Sequence, residues 1–256
     1  MGHAHRWVRR RDSDRVDAAW RPELRGVLRR RDGRAGPRGV RLIAVTVPGW
    51  TGTTPLADVS MEHYACEIGR VAADIGADVV VGHSVGANYA LEISVLGAFS
   101  GPVVLLSPSF SREDEFKELG MLNKIGRVSG IGAAAWWLAL KRIPGQAKKE
   151  LPGERGTAIA SEMAKNTVGF CRKALRKYFV YLDRYGNLAP RLCASGARAW
   201  VVFGSADGIG LKDEERHELK SCSTVTMATV QGTHMFLVEE PTGTAQIIAD
   251  AVAAVG

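Results

Sequence analysis

The sequence predicts an α/β fold in which a mostly parallel sheet is flanked by helices. Short apolar runs with the length of buried strands alternate with longer segments whose apolar residues recur at helical spacing. A chain of 256 residues is long enough for one such domain with an insertion. The expected strands are residues 40–47, 77–81, 102–106, 199–203 and 223–230.

The most informative motif is Val-Gly-His-Ser-Val-Gly at residues 81–86, between a predicted strand and a segment that predicts a helix. Gly82 and Gly86 lack a Cβ where the strand and the helix must pass closely. Ser84 is thereby placed at the apex of a sharp turn, at the helix N-terminus, where the helix amides favour developing negative charge. The motif predicts a nucleophilic serine.

A serine hydroxyl needs a general base and a group that orients this base. Asp207 lies in a Gly-rich turn after strand 199–203, and His234 follows strand 223–230. Open α/β sheets bind ligands at the carboxyl ends of their strands, where both residues are expected. Because Asp-Gly is also a common turn pair, a plain turn role is the alternative for Asp207.

In this chain order, the motifs resemble those of the α/β-hydrolase superfamily in its single-domain bacterial form with a helical cap. The resemblance covers residues 40–256 and includes the stretches 47–50, 204–207, 232–236 and 239–241. It implies that Ser84 is the nucleophile, that His234 is the general base and later acid, and that Asp207 orients the imidazole. It also implies that the amide of Val85 is an oxyanion donor.

Residues 110–195 contain helical patterns alone, and the resemblance makes them a cap on a core of residues 39–109 and 196–256. Pro144-Gly145 and Pro152-Gly153 are expected to break the cap into helical segments. Its last segment has a basic face, which is either solvated or attracts acidic or lipid-like substrates. Candidates for an apolar substrate pocket, with ordinary packing as the alternative, are Trp50, Trp136, Trp137 and Phe170.

The excess positive charge lies at the start of the chain. Residues 1–41 contain thirteen arginines, no lysine and five acids, so their net charge is 13 − 5 = +8, against 21 − 22 = −1 for residues 42–256. Basic arms often bind nucleic acid, but such arms usually mix lysine with arginine and accompany a basic folded face. We therefore expect residues 1–38 to form an Arg-rich arm, irregular or partly helical, that does not bind nucleic acid.

The resemblance also implies three strands and a His-Gly loop before residue 40, and this sequence has no His-Gly pair. We expect the N-terminal strands to be missing or altered, unless the start or the reading frame of the gene was misassigned. Since the His-Gly loop supplies the second oxyanion amide, a protein that binds a ligand without turnover is an alternative to an enzyme.

Other features exclude several classes of protein. The longest apolar run, residues 131–140, is about half the length needed to span a bilayer, and no signal-peptide core is present. The four cysteines are scattered, which indicates neither a zinc site nor a disulfide framework. We expect a cytoplasmic protein without metal or cofactor.

The expected activity is cleavage of a carboxylic ester or thioester in a small-molecule acyl substrate. Acyltransferases and carbon–carbon bond hydrolases use the same triad, so they stay open as alternatives.

Overall fold

The computed structural model describes residues 5–10, 40–151 and 153–255. The strands in these ranges are β1 (His5–Arg10), β2 (Val40–Val45), β3 (Val79–His83), β4 (Val103–Leu106), β5 (Ala199–Gly204) and β6 (Val225–Val230). The helices are α1 (Met61–Asp74), α2 (Val85–Val95), α3 (Lys117–Ile125), α4 (Ile131–Glu150), α5 (Glu154–Met163), α6 (Val168–Tyr185), α7 (Ala189–Ala194), α8 (Asp213–Ser221), α9 (Phe236–Glu239) and α10 (Pro241–Ala253).

The strands form one sheet in the order β2-β1-β3-β4-β5-β6. Strands β3 to β6 are parallel to one another, so their carboxyl ends lie at the same edge of the sheet. Helices connect successive parallel strands, as a parallel crossover requires. The expected α/β class and all five expected strands are confirmed.

The central strands are apolar throughout because both faces of the sheet are covered. Val80 and Leu105 belong to a cluster of buried residues on one face, to which α1 and α2 also contribute. Val79 and Val104, which alternate with them along the strands, pack with Ile248 of α10 on the other face. This alternation fixes the register of the parallel strands and thus the positions of the loops that follow them.

The N-terminal part of the sheet is altered, as expected. In the described residues, one strand precedes β2, and it runs antiparallel to both of its neighbours, β2 and β3. The expectation that residues 1–38 are an irregular or partly helical arm is therefore wrong for residues 5–10. The rest of this arm lies outside the described residues.

The segment between β4 and β5 contains α3 to α7, which agrees with the helical pattern predicted for residues 110–195. α4 ends and α5 begins around Pro152-Gly153, as expected, but α4 continues through Pro144-Gly145. The predicted break at Pro144 is wrong, since α4 is continuous from Ile131 to Glu150 and packs against α5 and α6. Among the helices of the described ranges, none is both long and apolar enough to cross a membrane.

Candidate active site

Ser84 lies in the sharp turn between β3 and α2. Its φ and ψ are 56° and −127°, a conformation that costs energy for a residue with a side chain. A Cβ on Gly82 would lie 2.1 Å from the carbonyl oxygen of Gly86, so strand and helix approach as closely as the motif predicted. Since Val85 is the first residue of α2, its N–H lies in the first turn, where amides lack intrahelical acceptors.

Asp207 lies in the loop that follows β5, and its side chain is almost fully buried. Its carboxylate accepts hydrogen bonds from the imidazole of His234, with 3.0 Å between Nδ1 and Oδ1, and from the N–H of Ile209 at 2.9 Å. The hydroxyl of Ser107 donates a further hydrogen bond to Oδ2. The structure thus brings together two of the three predicted catalytic residues.

These contacts determine the charge of Asp207. Burial by itself raises the pKa of Asp207, but the hydrogen bonds from His234 and Ser107 outweigh it, so this pKa lies below its ordinary value. An ionised carboxylate accepts hydrogen bonds, so Nδ1 of His234 carries the proton. In neutral His234, Nε2 is then the nitrogen with the lone pair, as a general base requires.

His83, the neighbour of Ser84, links β3 to the loop that holds His234. Its Nε2–H donates to the backbone carbonyl of His234 at 2.8 Å, and the two ring centroids are 4.7 Å apart. Burial, together with the nearby His234, lowers the pKa of His83 to about 3. His83 is therefore a neutral residue that connects β3 to the loop of His234.

Two residues near His234 have no signal in the sequence. Ser107, directly after β4, is fully buried and has a φ of 52°. Phe116, just before α3, places its ring edge-on to that of His234, with centroids 5.1 Å apart. Each comes from a loop whose path depends on tertiary packing, so neither could be assigned to the site from local pattern.

The four predicted pocket residues do not form one group. Trp50 and Phe170 are buried and contact each other edge to face, with ring centroids 5.1 Å apart. Trp136 is buried and lines a cavity, but neither Trp50 nor Phe170 lines that cavity. Trp137 is 52% exposed and lies under the ammonium group of Lys141, whereas the other three residues are buried.

The described residues contain no group of three or more His, Cys, Asp or Glu side chains that could hold a metal ion. The four cysteines are free thiols. The chemistry that the site can perform with the residues described above is proton transfer and nucleophilic attack by a hydroxyl.

Comparison with known proteins identifies the family. The chain resembles the solved structure of a thermophilic esterase from Thermogutta terrifontis with malate bound (TM-score 0.64, 14% identity, 85% of this chain and 81% of that chain). It resembles an N-acyl homoserine lactonase complexed with N-hexanoyl homoserine (TM-score 0.60, 18% identity, 83% and 78%). It also resembles a thioesterase domain from the curacin biosynthetic pathway (TM-score 0.57, 13% identity, 81% of each chain).

At these identities the likeness to solved structures shows the fold alone. No curated protein matches the sequence. The sequence profile of the Alpha/beta hydrolase family, however, matches residues 6–247, which is nearly the whole chain. The protein is therefore a member of the α/β-hydrolase family.

Proposed function

We propose that the protein is a serine hydrolase that cleaves a carboxylic ester or thioester through a covalent acyl-enzyme on Ser84. The observation that carries the proposal is the hydrogen bond between His234 and the buried, ionised Asp207, at the edge of the sheet where Ser84 directly precedes α2. With the proton on Nδ1, Nε2 of His234 can accept a proton. We propose that the hydroxyl of Ser84, which is held in a strained turn, donates it.

In the proposed reaction, Oγ of Ser84 attacks the carbonyl carbon of the substrate while Nε2 of His234 takes the hydroxyl proton. The amide of Val85, at the start of α2, stabilises the oxyanion. The tetrahedral intermediate collapses, and the leaving alkoxide or thiolate takes the proton from His234. Water then attacks the acyl-enzyme with His234 again as base, which releases the acid and restores Ser84.

The names of the structural neighbours suggest the substrate classes to test first. An esterase, a lactonase and a thioesterase are among them, and all three act on an acyl group bonded to oxygen or sulfur. We propose a small-molecule acyl substrate, and an initial panel of short- and medium-chain esters, lactones and thioesters.

Labelling by a fluorophosphonate tests the proposal without knowledge of the substrate. The wild-type protein, Ser84→Ala and His234→Ala are incubated with the probe and weighed intact by mass spectrometry. We expect one adduct on the wild type and none on either variant. The matched control is His217→Ala, which removes an exposed histidine on α8 and should label like the wild type.

A folded wild-type protein that stays unlabelled would contradict the proposal. The alternative is then a ligand-binding protein in which the oxyanion site is incomplete, since removal of one oxyanion donor costs about 2.7–4 kcal/mol of transition-state stabilisation. If labelling succeeds but no member of the panel is hydrolysed, acyl transfer to an acceptor other than water is the next activity to assay.

A further inference from the structure

A cavity of about 240 Å³ lies between α3, α4 and α6, and none of the proposed catalytic residues lines it. Four of the residues that line it are basic, and none is acidic: the basic ones are Arg127, Arg172, Lys173 and Arg176. Like charges that converge on one concave site repel each other, so the site favours a multiply charged anion.

The cavity also has an unused hydrogen-bond donor. Asn123 of α3 is 4% exposed, and its Nδ2 has no hydrogen-bond partner in the described part of the chain. A buried amide donor without an acceptor is costly, and an anion in the cavity would accept from it. This second feature is independent of the basic side chains and requires the same kind of ligand.

The orientation of one basic group is fixed. Nη2 of Arg172 donates to the carbonyl oxygen of Gly126 at 2.7 Å, which holds the guanidinium at the cavity wall. A guanidinium has five N–H donors, so others remain for a ligand. Guanidinium groups bind phosphate and carboxylate with two parallel hydrogen bonds, and phosphate carries about twice the charge of a carboxylate.

Trp136 provides an apolar surface beside these charges. It is 5% exposed and lines the cavity together with Gly169 of α6. The volume is below the roughly 300–1,000 Å³ of sites for drug-sized ligands, so the ligand is small. From these features we propose that the cavity binds a small organic phosphate, whose phosphate group contacts the basic residues and Asn123 and whose apolar part contacts Trp136. This proposal does not depend on the proposed function.

The test is titration calorimetry of the full-length protein with phenyl phosphate, which combines a phosphate with one aromatic ring. Phenylacetate and inorganic phosphate are titrated in parallel. We expect saturable binding of phenyl phosphate to one site, and weaker binding of the other two. Equal affinity for phenylacetate would overturn the assignment of a phosphate, and equal affinity for inorganic phosphate would overturn the role of Trp136.

The decisive variant is Arg127→Gln/Arg176→Gln, in which both altered side chains are exposed, so the fold should be retained. Loss of two charged donors should weaken binding at least about tenfold. The matched control, Arg216→Gln/Lys220→Gln, removes two exposed charges from α8, which does not line the cavity. A similar loss in this control would show non-specific attraction of anions and would overturn the proposal.

A second variant tests the position of the ligand rather than the charge. A Cβ at Gly169 would meet no atom within 4 Å, so this position has room for the start of a side chain, and Gly169→Leu introduces one at the cavity wall. We expect it to abolish binding of phenyl phosphate while the protein stays folded, because leucine also suits a helix better than glycine. Wild-type affinity in a folded Gly169→Leu protein would contradict a ligand at this place.

Discussion

At the scale of single residues, Ser107 has the clearest role outside the proposed triad. Its hydroxyl donates to Oδ2 of Asp207, while the other carboxylate oxygen accepts from His234. Its N–H is bound to the carbonyl oxygen of Val202 at 2.8 Å, so the residue is fixed between β4 and β5. We infer that Ser107 is a positioning residue, which holds the carboxylate in the plane that His234 requires.

We expect Ser107→Ala to slow labelling of Ser84 by a fluorophosphonate about tenfold, as the loss of one hydrogen bond to a charged acceptor predicts. On a substrate, the loss should appear in kcat and leave KM nearly unchanged, because Ser107 contacts Asp207 and not the ligand in this arrangement. Ser221→Ala, an exposed change on α8, is the control. A labelling rate for Ser107→Ala within twofold of the wild type would contradict this role.

His83 predicts a dependence of stability on pH. Its folded-state pKa of about 3 is far below the ordinary value of 6.5, because the ring is buried. Between these two values the unfolded chain binds more protons than the folded one, so the free energy of unfolding falls as pH falls. The stabilisation that depends on neutral His83 is fully present above pH 6.5. Between pH 6.5 and about pH 3 it decreases by about 1.4 kcal/mol for each unit by which the pH falls.

Urea unfolding of the wild type and His83→Gln at pH 7, 5 and 4 measures this contribution. Glutamine does not titrate and keeps an N–H donor for the carbonyl of His234, so the difference between the two proteins should shrink as pH falls. His217→Gln, which changes an exposed histidine, should follow the wild type. If the wild type and His83→Gln gave parallel curves, the low pKa of His83 would be wrong.

The site was predictable from the sequence where local pattern determines position. Gly82 and Gly86 specify the turn that holds Ser84, and parallel strands place Asp207 and His234 at one edge of the sheet. Ser107 was not predictable as a partner of Asp207, since 100 residues separate them and their contact depends on the pairing of β4 with β5.

At the scale of elements, apolar runs predicted the described strands from β2 to β6, because these strands lie against packed helices. The local sequence pattern gave a wrong prediction at Pro144, where a helix break was expected but α4 continues to Glu150. Proline removes one backbone hydrogen bond and crowds the preceding turn, at a cost of about 3 kcal/mol in a helix interior. The contacts of α4 with α5 and α6 compensate this cost, and contacts of this kind cannot be seen in a local sequence.

The helix should therefore be stabilised by Pro144→Ala, which restores the N–H and relieves the crowding. We expect the free energy of unfolding to rise by about 1–3 kcal/mol in urea. Pro241→Ala is the matched control, because Pro241 is at the start of α10, where proline costs nothing, and its replacement should give no gain. Equal effects of the two changes would show that Pro144 does not strain α4.

At the scale of the whole molecule, an ion pair between a buried glutamate and a partly exposed arginine connects the core to the helices between β4 and β5. Glu92 of α2 has no exposed surface, and its carboxylate accepts two hydrogen bonds from Arg191 of α7, at 2.7 and 3.0 Å. The hydroxyl of Tyr181 on α6 donates to the same carboxylate at 2.8 Å. Because Ser84 directly precedes α2, this network also fixes the helix that follows the proposed nucleophile.

Removal of one partner leaves the other charge buried, which is more costly than removal of both. We expect Arg191→Met to lower the free energy of unfolding by about 3–5 kcal/mol, and Glu92→Leu/Arg191→Met to recover part of this loss. Arg184→Met, which breaks the exposed pair of Arg184 with Glu62, should change stability little. If Arg191→Met were as mild as Arg184→Met in urea unfolding, the pair would not connect the two parts of the molecule. A double variant less stable than Arg191→Met would show instead that Glu92 is stabilised by Tyr181 alone.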